Sequence, residues 1–455
     1  WSYTTTQLAE ILGSPRPRKD AAFSGVSTDS RAIAPGMLFV ALTGENFDGN
    51  DYLESAFERG AAAAVARRDS DAGPVLVHES PLAALQRFAA EHRDRSTARI
   101  IAITGSSGKT TSKEFIAAIL GSKFSTIKTT GNLNNEIGCP LSLLRIDSDT
   151  EFAVIEMGAN HIGEIANLCK LARPNESAIV NIGPAHLEGF GGIEGVARAK
   201  GEIMEGLPPD GVFYANMDDE RCAAIGARYS GTVIRYGSAR GKPLDVTLHE
   251  CSFDDDGLMN LIVDPVGTIR LPLLARAHAS NVLLAVAIGL RHGVTEFEKP
   301  IRAALEIAAR IKVKRIGPIE LLDDTYNANP ASMRAAIDAL KDRPGGAKIC
   351  AFGAMLELGE DAARLHAEIG QYAADAGVTR LYSRGPHACD TIDAGSDGGI
   401  PVAEVVQDHA AMAAAIADGA APGDVVLVKG SRGMRMEGVI AALEAIYGSR
   451  TGTEA

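Results

Sequence analysis

Residues 105–111 combine the residue types that bind a nucleotide phosphate. Gly105 and Gly108 allow a tight turn with inward-pointing N–H groups, Lys109 adds a positive charge, and the Thr110 hydroxyl suits Mg²⁺. The match to the usual nucleotide loop is partial, because Ile103 stands where that pattern begins with glycine. An ordinary loop has no evident use for this lysine, so nucleotide binding is predicted. The nucleotide-binding set is Gly105, Ser106, Ser107, Gly108, Lys109, Thr110 and Thr111.

An acidic residue follows the next apolar run. Glu156 lies at the end of the predicted strand 152–158, where open α/β sheets bind their ligands. A glutamate beside a phosphate loop is a natural Mg²⁺ ligand, and the alternative is a surface carboxylate. Taken alone, His186 indicates a structural or solvated loop histidine, and Lys200 indicates a solvated lysine on a predicted helix.

Three further polar segments could contact an anionic ligand. One of them, residues 129–138, is rich in amides, which are neutral donors for a polyanion but are also common in any loop. The segment 27–31 is typical of an Asx-turn with a solvated arginine, and the competing hypothesis is a phosphate site. The segment 429–432 follows an apolar strand and opens toward a helix, which favours an anion. The candidates are Thr130, Asn132, Asn134, Asn135, Ser27, Ser30, Arg31, Lys429, Ser431 and Arg432.

The elements around these segments predict an α/β protein. Residues 100–103 form a β-branched run typical of a buried parallel strand, and a helical pattern follows from Thr111 to Gly121. Strands and helices alternate again after the basic stretch 310–315, as in a second doubly wound sheet. With 455 residues, we expect three domains: a small N-terminal α/β domain (1–97), a central P-loop domain with a parallel-rich sheet (98–312) and a C-terminal Rossmann-like domain (313–455).

Composition narrows the class of protein. A net charge of −13 argues against nucleic acid or an anionic membrane as the main partner. The six cysteines are scattered without a metal-ligand spacing, which favours a reducing cytoplasm. The sequence contains no apolar run of membrane-spanning length, so we expect no membrane insertion.

The order of the motifs resembles the Mur ligases over nearly the whole chain. The segments that carry this resemblance are TDSRAIAPGMLFVALTGENFDG, TGSSGKTT, TTGNLNNEIGCPL, VIEMGANHIGEI, AHLEGFG with AKGEI, LLDDTYNANPASM, MLELG and LVKGSR. The resemblance implies an ATP-dependent amide ligase of peptidoglycan synthesis. Within the family, the motifs favour a member in which ATP phosphorylates the terminal carboxylate of UDP-N-acetylmuramoyl-tripeptide. The amine of D-alanyl-D-alanine then attacks the acyl phosphate, which releases phosphate.

The resemblance also implies roles for single residues. Lys109 contacts the β and γ phosphates, Thr110 and Glu156 hold one Mg²⁺, and His186 helps to hold a second. Lys200 matches the carbamylated lysine of the family, whose CO₂-derived carbamate is an anionic metal ligand. Residues 1–97 bind the UDP group through Ser27, Ser30 and Arg31, and the last domain completes the site with Lys429, Ser431 and Arg432. The nucleoside contacts implied are Asn281, Arg315, Asp324, Tyr326 and Asn327.

Two other functions remain open at this point. A sibling ligase that adds lysine or a diamino acid, or a folylpolyglutamate synthase, shares the central chemistry and differs in the pocket for the amine. A protein that binds ATP without catalysis is a second alternative, but it has no need for Glu156, His186 and Lys200 together. We expect the chain to act as a cytoplasmic monomer.

Overall fold

A computed structural model describes residues 1–44, 46–185, 187–238, 241, 243–254, 258–273, 275–308 and 312–451, without the side chains of 306–308 and 449–451. Within these residues the strands form four sheets, of two, four, nine and six strands. No helix in this described part of the chain has both the length and the apolar character needed to cross a bilayer.

The N-terminal part contains a small parallel sheet covered by helices. Its four strands lie side by side in chain order, and the first two strands of the chain form a separate antiparallel pair. A 3₁₀ turn, Gly49–Tyr52, leads directly into the short α-helix Leu53–Glu58. The elements are β1 (Tyr3–Thr4), α1 (Thr5–Leu12), β2 (Ala22–Phe23), β3 (Val26–Ser27), β4 (Leu38–Val40), α2 (Leu53–Glu58), β5 (Ala63–Ala66), β6 (Val75–Val77) and α3 (Pro81–Asp94).

The largest sheet runs through the middle of the chain. Its elements are β7 (Arg99–Thr104), α4 (Lys109–Gly121), β8 (Thr126–Lys128), α5 (Gly138–Leu143), β9 (Phe152–Glu156), α6 (Glu164–Ala172), β10 (Glu176–Ile179), α7 (Leu187–Phe190), α8 (Ile193–Glu205), β11 (Val212–Asn216), α9 (Glu220–Gly226), β12 (Thr232–Gly237), β13 (Val246–Phe253), β14 (Met259–Asp264), β15 (Gly267–Leu271), α10 (His278–Arg291) and α11 (Glu298–Ala308). The strand order is β15-β14-β13-β12-β11-β10-β7-β9-β8.

Strand β7 occupies the position that matters for the site. It pairs in parallel with β9 on one side and β10 on the other, and all its residues except Arg99 are buried. In the strand order, β8 and β9 lie on one side of β7, whereas β10 and the later strands lie on the other. Open α/β sheets bind their ligands at the carboxyl ends of the strands where the strand order reverses in this way. The predicted phosphate turn follows β7 directly, and α4 begins at Lys109, two residues before the predicted start.

The last sheet has the predicted doubly wound form. Its elements are β16 (Lys312–Ile316), β17 (Ile319–Asp324), α12 (Pro330–Asp342), β18 (Lys348–Gly353), α13 (Ala362–Asp375), β19 (Arg380–Arg384), α14 (Ala388–Asp397), β20 (Val402–Val405), α15 (His409–Gly419), β21 (Val425–Lys429) and α16 (Glu437–Thr451). The strand order is β16-β17-β21-β18-β19-β20, parallel except for the antiparallel edge strand β16. Helices α12 and α13 pack on an apolar cluster with Leu322 and Phe352, whereas α15 and α16 pack on one with Leu321 and Val426.

Candidate active site

The turn between β7 and α4 contains a residue with left-handed backbone, Gly108. Gly108 has φ +75° and is the N-cap of α4, and a Cβ at this position would lie 2.7 Å from Asn281 Oδ1. The first N–H groups of a helix lack intrahelical partners, so those of α4 are directed at the turn. The geometry therefore supplies a site for an anion at the end of β7.

A residue that the sequence analysis missed holds this turn in place. Asn181, which follows β10, accepts hydrogen bonds from the backbone N–H of Ser106 (3.0 Å, to its carbonyl) and of Ser107 (2.9 Å, to Oδ1). The Ser106 hydroxyl donates to the Gly183 carbonyl at 2.8 Å. The Lys109 ammonium donates to the Gly105 carbonyl at 2.7 Å. The phosphate turn is thus fastened to the neighbouring strand.

Glu156 is buried at the end of β9, beside this turn. Its Oε1 accepts a hydrogen bond of 2.8 Å from Asn134 Nδ2, and its backbone N–H donates to the Thr129 hydroxyl at 3.0 Å. Its Oε2 is inaccessible to solvent and receives no hydrogen bond from the described residues. A buried carboxylate oxygen without a donor is costly unless a cation compensates it, so the position suits a cation ligand.

Lys113 lies close to that oxygen and is a second residue that the sequence did not reveal. Lys113 lies one turn after Lys109 on α4 and is fully buried. Its Nζ is 3.6 Å from Glu156 Oε2 and 3.4 Å from Glu114 Oε1. The (i, i+4) spacing from Lys109 could have indicated that both lysines lie on the same side of the helix.

Lys200 is also buried rather than solvated. It lies on α8 with 2% of its surface exposed, and its Nζ is 5.8 Å from the centre of the Phe190 ring. Burial lowers the pKa of Lys200 to about 7, and the positive charge of Lys109 contributes to this shift. The interpretation as a solvated helix lysine is therefore wrong. His186 lies outside the described residues.

The predicted amide-rich segment divides into residues with different surroundings. Asn134 contacts Glu156, as described above, whereas Asn135 Oδ1 accepts from the backbone N–H groups of Ile137 (3.2 Å) and Gly138 (2.9 Å), at the start of α5. The Thr130 hydroxyl is hydrogen-bonded to Arg145 Nη1, and Asn132 is exposed. In this segment, Asn134 is the residue that the structure brings to the strand-end carboxylate.

In the N-terminal part, the predicted phosphate residues form a compact turn. Arg31 makes a bidentate ion pair with Asp29 (2.9 and 2.8 Å), while the Ser27 hydroxyl donates to the Asp29 carbonyl. The hydrogen bonds from Arg31 lower the pKa of Asp29 to about 2. Ser30 is buried, and Arg31 remains exposed at the surface. The Asx-turn predicted from the sequence is confirmed by the Asp29 cap on the Arg31 N–H.

In the last sheet, Lys429 and Asp324 form a buried pair at the ends of β21 and β17. The Lys429 ammonium lies 2.6 Å from Asp324 Oδ2 and donates to the Asn327 carbonyl at 2.9 Å. Ser431 Oγ accepts from the Leu356 N–H at 2.9 Å, which joins two loops at the same edge. The remaining predicted residues of this region, Arg315, Tyr326 and Arg432, are exposed.

Asn281 connects α10 to α4, the helix that follows the phosphate turn. Its Oδ1 accepts a 3.2 Å hydrogen bond from the Ser112 hydroxyl, and its Nδ2 lies 3.2 Å from His278 Nδ1. The structure therefore brings Asn281 against the phosphate turn, as its contact with Gly108 also indicates.

The side chains beside the phosphate turn suit a Mg²⁺ ion that is bound together with a phosphate. They suit a metal ion held by protein ligands alone less well. In the ranges that the structure describes, no group of three His, Cys, Asp or Glu side chains is placed to hold a metal ion. Mg²⁺ in proteins is commonly held by one or two carboxylates, with phosphate oxygens and waters completing the shell. Glu156 Oε2 is such a carboxylate oxygen, and Thr110 lies in the first turn of α4, next to the phosphate turn.

Family models match three successive parts of the chain. They are the Mur ligase family catalytic domain over residues 22–95, the Mur ligase middle domain over 103–289 and the Mur ligase glutamate ligase domain over 309–432. The chain belongs to the Mur ligase family. The resemblance seen in the sequence motifs is confirmed, and the three-domain α/β architecture agrees with that of solved Mur ligases.

Several Mur ligases are similar over almost their whole length. The chain is 38% identical to the UDP-N-acetylmuramoyl-tripeptide–D-alanyl-D-alanine ligase of Escherichia coli K12, with 97% of this chain and 98% of that protein covered. It is 34% identical to the enzyme of the same name from Bacillus subtilis 168, with 96% and 97% covered.

Solved Mur ligase structures are similar as well. A crystal structure of MurF from Acinetobacter baumannii superposes with a TM-score of 0.86 at 32% identity, covering 98% of this chain and 99% of that one. MurF from Thermotoga maritima in complex with ADP superposes with a TM-score of 0.81 at 29% identity, covering 94% and 98%.

Proposed function

We propose that this Mur ligase joins D-alanyl-D-alanine to UDP-N-acetylmuramoyl-tripeptide with hydrolysis of ATP to ADP and phosphate, in peptidoglycan precursor synthesis. The observation that carries the proposal is the near-full-length similarity to ligases of that name, which includes the last domain as well as the phosphate turn. Activation by ATP is necessary because a carboxylate is a poor electrophile until it is converted to an acyl phosphate.

The chemistry requires charge compensation and alignment more than a protein nucleophile, because two anions must meet during phosphoryl transfer. Lys109 and the first N–H groups of α4 bind the phosphates of ATP, while Gly105, Ser106, Ser107, Gly108 and Thr111 shape the turn. Thr110 and Glu156 hold Mg²⁺, which neutralises charge that develops on the phosphates when it is bound. His186 contributes to a second Mg²⁺ site.

Lys200 is proposed to act as a carbamate. An unmodified ammonium would repel a cation, whereas a carbamate supplies anionic oxygen ligands. The neutral amine attacks CO₂, an N–C bond forms and one proton is released to solvent. Burial lowers the pKa of Lys200 to about 7. This supports the step, because about half of the Lys200 amine is then neutral at pH 7.

The remaining predicted residues are assigned to the substrates. The UDP group is bound by residues 1–97 through Ser27, Ser30 and Arg31. The muramyl peptide contacts the amide-rich loop through Thr130, Asn132, Asn134 and Asn135, and Lys429, Ser431 and Arg432 complete the site from residues 313–455. Asn281, Arg315, Asp324, Tyr326 and Asn327 contact the nucleoside of ATP, which binds the central domain, residues 98–312. We further propose that the chain works as a monomer in the cytoplasm.

A phosphate-release assay tests the proposed function. The purified chain is given ATP, Mg²⁺ and UDP-N-acetylmuramoyl-tripeptide, with D-alanyl-D-alanine, lysine or diaminopimelate as the amine. Of the three amines, only D-alanyl-D-alanine is expected to give phosphate release and a new peptide product. Turnover with only a single amino acid would instead assign the chain to a sibling ligase.

A further inference from the structure

Lys113 is the buried charge of the site that none of the proposed steps uses. Its side chain is inaccessible to solvent, and its Nζ donates to the Gly131 carbonyl at 3.1 Å. A lysine carries its charge into a fully buried position only when partners compensate the lost hydration. The identity of those partners therefore indicates what Lys113 does.

Two carboxylates share the Lys113 ammonium. Glu114 Oε1 lies at 3.4 Å and Glu156 Oε2 at 3.6 Å, and Glu114 also pairs with Lys128 through its other oxygen. The two lysines and two glutamates thus form an electrically balanced row that ends at Glu156. Lys128 is 40% exposed, so Lys113 is the member that neutralises the buried end of the row.

The two oxygens of Glu156 have different surroundings. Oε1 is fixed by the Asn134 amide, whereas Oε2 receives no hydrogen bond from the described residues and has Lys113 as its ion-pair partner. A cation bound by Glu156 would therefore use the oxygen that faces Lys113. Like charges at such short separation repel strongly in a buried site.

We propose that Lys113 is a positioning residue that acts as the internal counter-ion of Glu156 and opposes the binding of a lone divalent cation there. The cation then enters together with the nucleotide, because the negative phosphates offset its repulsion from Lys113. The Gly131 carbonyl and Glu114 retain the ammonium when Glu156 turns to the cation. This inference rests on the proposed function, since that function supplies the nucleotide and Mg²⁺.

Thermal unfolding of the full chain without nucleotide tests the inference. The variant Lys113→Met keeps most of the length of the side chain and removes the charge, and Lys128→Met removes a charge from the exposed end of the same row. Melting temperatures are measured in EDTA and across a series of Mg²⁺ concentrations, with no ATP and no peptide substrate.

The two variants are expected to differ. Lys113→Met lowers the melting temperature in EDTA by about 5–10 °C, because Glu156 becomes a buried carboxylate without a counter-ion. Mg²⁺ alone restores it, at a concentration at least about tenfold below any that stabilises the wild-type chain. Lys128→Met is expected to respond to Mg²⁺ as the wild type does. A Lys113→Met variant with the Mg²⁺ response of the wild type would overturn the inference.

A double variant covers the case in which Lys113→Met does not fold. Lys113→Met combined with Glu156→Gln removes both charges, so it is expected to recover most of the lost melting temperature and to show no response to Mg²⁺. A double variant no more stable than Lys113→Met would contradict the counter-ion role. These measurements involve no ligation, so a chain that failed to join D-alanyl-D-alanine could still confirm them.

Discussion

The ammonium of Lys429 lies 2.6 Å from Asp324 Oδ2, and both side chains are almost completely withdrawn from solvent. The pair connects the carboxyl ends of β21 and β17, two neighbouring parallel strands. Lys429 also donates to the Asn327 carbonyl, so the turn that carries Tyr326 and Asn327 is held to the loop 429–432. Two segments that lie far apart in the sequence therefore form one structural unit.

Removing one member of this pair should destabilise the last domain. Lys429→Met leaves the Asp324 carboxylate buried without its cation, which costs about 3–5 kcal/mol in the free energy of unfolding. Chemical denaturation should detect this loss. The double variant with Asp324→Asn is expected to be more stable than the sum of the two single losses predicts. Additive losses would show that the pair is not coupled.

The role of Gly108 in the phosphate turn can be tested against a control glycine, Gly121, in the same helix. Gly108→Ala should weaken ADP binding at least about tenfold, because alanine is strained at φ +75° and its Cβ would meet Asn281 Oδ1 at 2.7 Å. Gly121→Ala, at the other end of the same helix, meets open space and should keep ADP affinity while raising stability by up to about 1 kcal/mol. Calorimetric titration of both variants with ADP distinguishes the two effects. Equal affinities would refute the steric explanation.

The proposed carbamate makes activity dependent on CO₂ and pH. Because burial lowers the pKa of Lys200 to about 7, the amine becomes increasingly protonated below that pH and cannot attack CO₂. The ligation rate in CO₂-depleted buffer should therefore fall as pH decreases through 7, and bicarbonate should restore it. NMR with labelled bicarbonate should detect the carbamate directly.

A variant at the same lysine provides the control. Lys200→Ala should abolish turnover and leave ATP binding largely intact, and short-chain carboxylic acids should rescue part of the rate. Full activity of Lys200→Ala without rescue agents would remove the carbamate from the mechanism.

Glu176 is predicted to stabilise the fold without affecting catalysis. It lies at the start of β10, at the opposite end of the strand from Asn181, and accepts hydrogen bonds from Tyr214 (2.6 Å) and Arg99 (3.0 Å), with His292 Nε2 also 3.0 Å away. Burial acts to raise the pKa of Glu176, but His292 and the other donors outweigh it, and the pKa is lowered. A depressed carboxyl pKa contributes stability above the unfolded pKa of about 4.3 and loses it as pH falls below that value.

Glu176→Gln should therefore lower the melting temperature at pH 7 and leave KM values for ATP and the muramyl substrate unchanged. The difference in stability from the wild type should shrink as pH falls from about 5 toward 3. A difference that stays constant over this range would mean that the charge of Glu176 is not its stabilising feature.

The features that the sequence predicted well are local ones. The strand 100–103, the glycine turn and the helix that follows are adjacent in the chain, so their residue types specify them directly, and the structure has them as β7, the turn and α4. Glu156 was predicted at a strand end for the same reason. The Asp29–Arg31 turn is also local and was predicted as an Asx-turn.

The features that could not be predicted from the sequence depend on contacts between distant segments of the chain. Asn181 reaches the phosphate turn only because β10 pairs with β7, and the buried state of Lys200 depends on how α8 packs on the sheet. The burial of Lys113 likewise depends on distant segments, because its ammonium contacts the Gly131 carbonyl and Glu156. Polar residues of this kind are distinguished by their partners, and strand order has to be known before the partners can be assigned.

The adjacency of β9, β7 and β10 fixes the spacing of the main chain in the candidate site. Glu156 stands opposite Ile103 on one side of β7, while on the other side Ile179, which precedes Asn181 by two residues, stands opposite Thr104. Neighbouring strands lie about 4.8 Å apart whatever their side chains. An inhibitor scaffold built to this main-chain spacing would retain its fit when residues of the surrounding helices are substituted. The reason is that the spacing depends on the backbone of the sheet and not on those side chains.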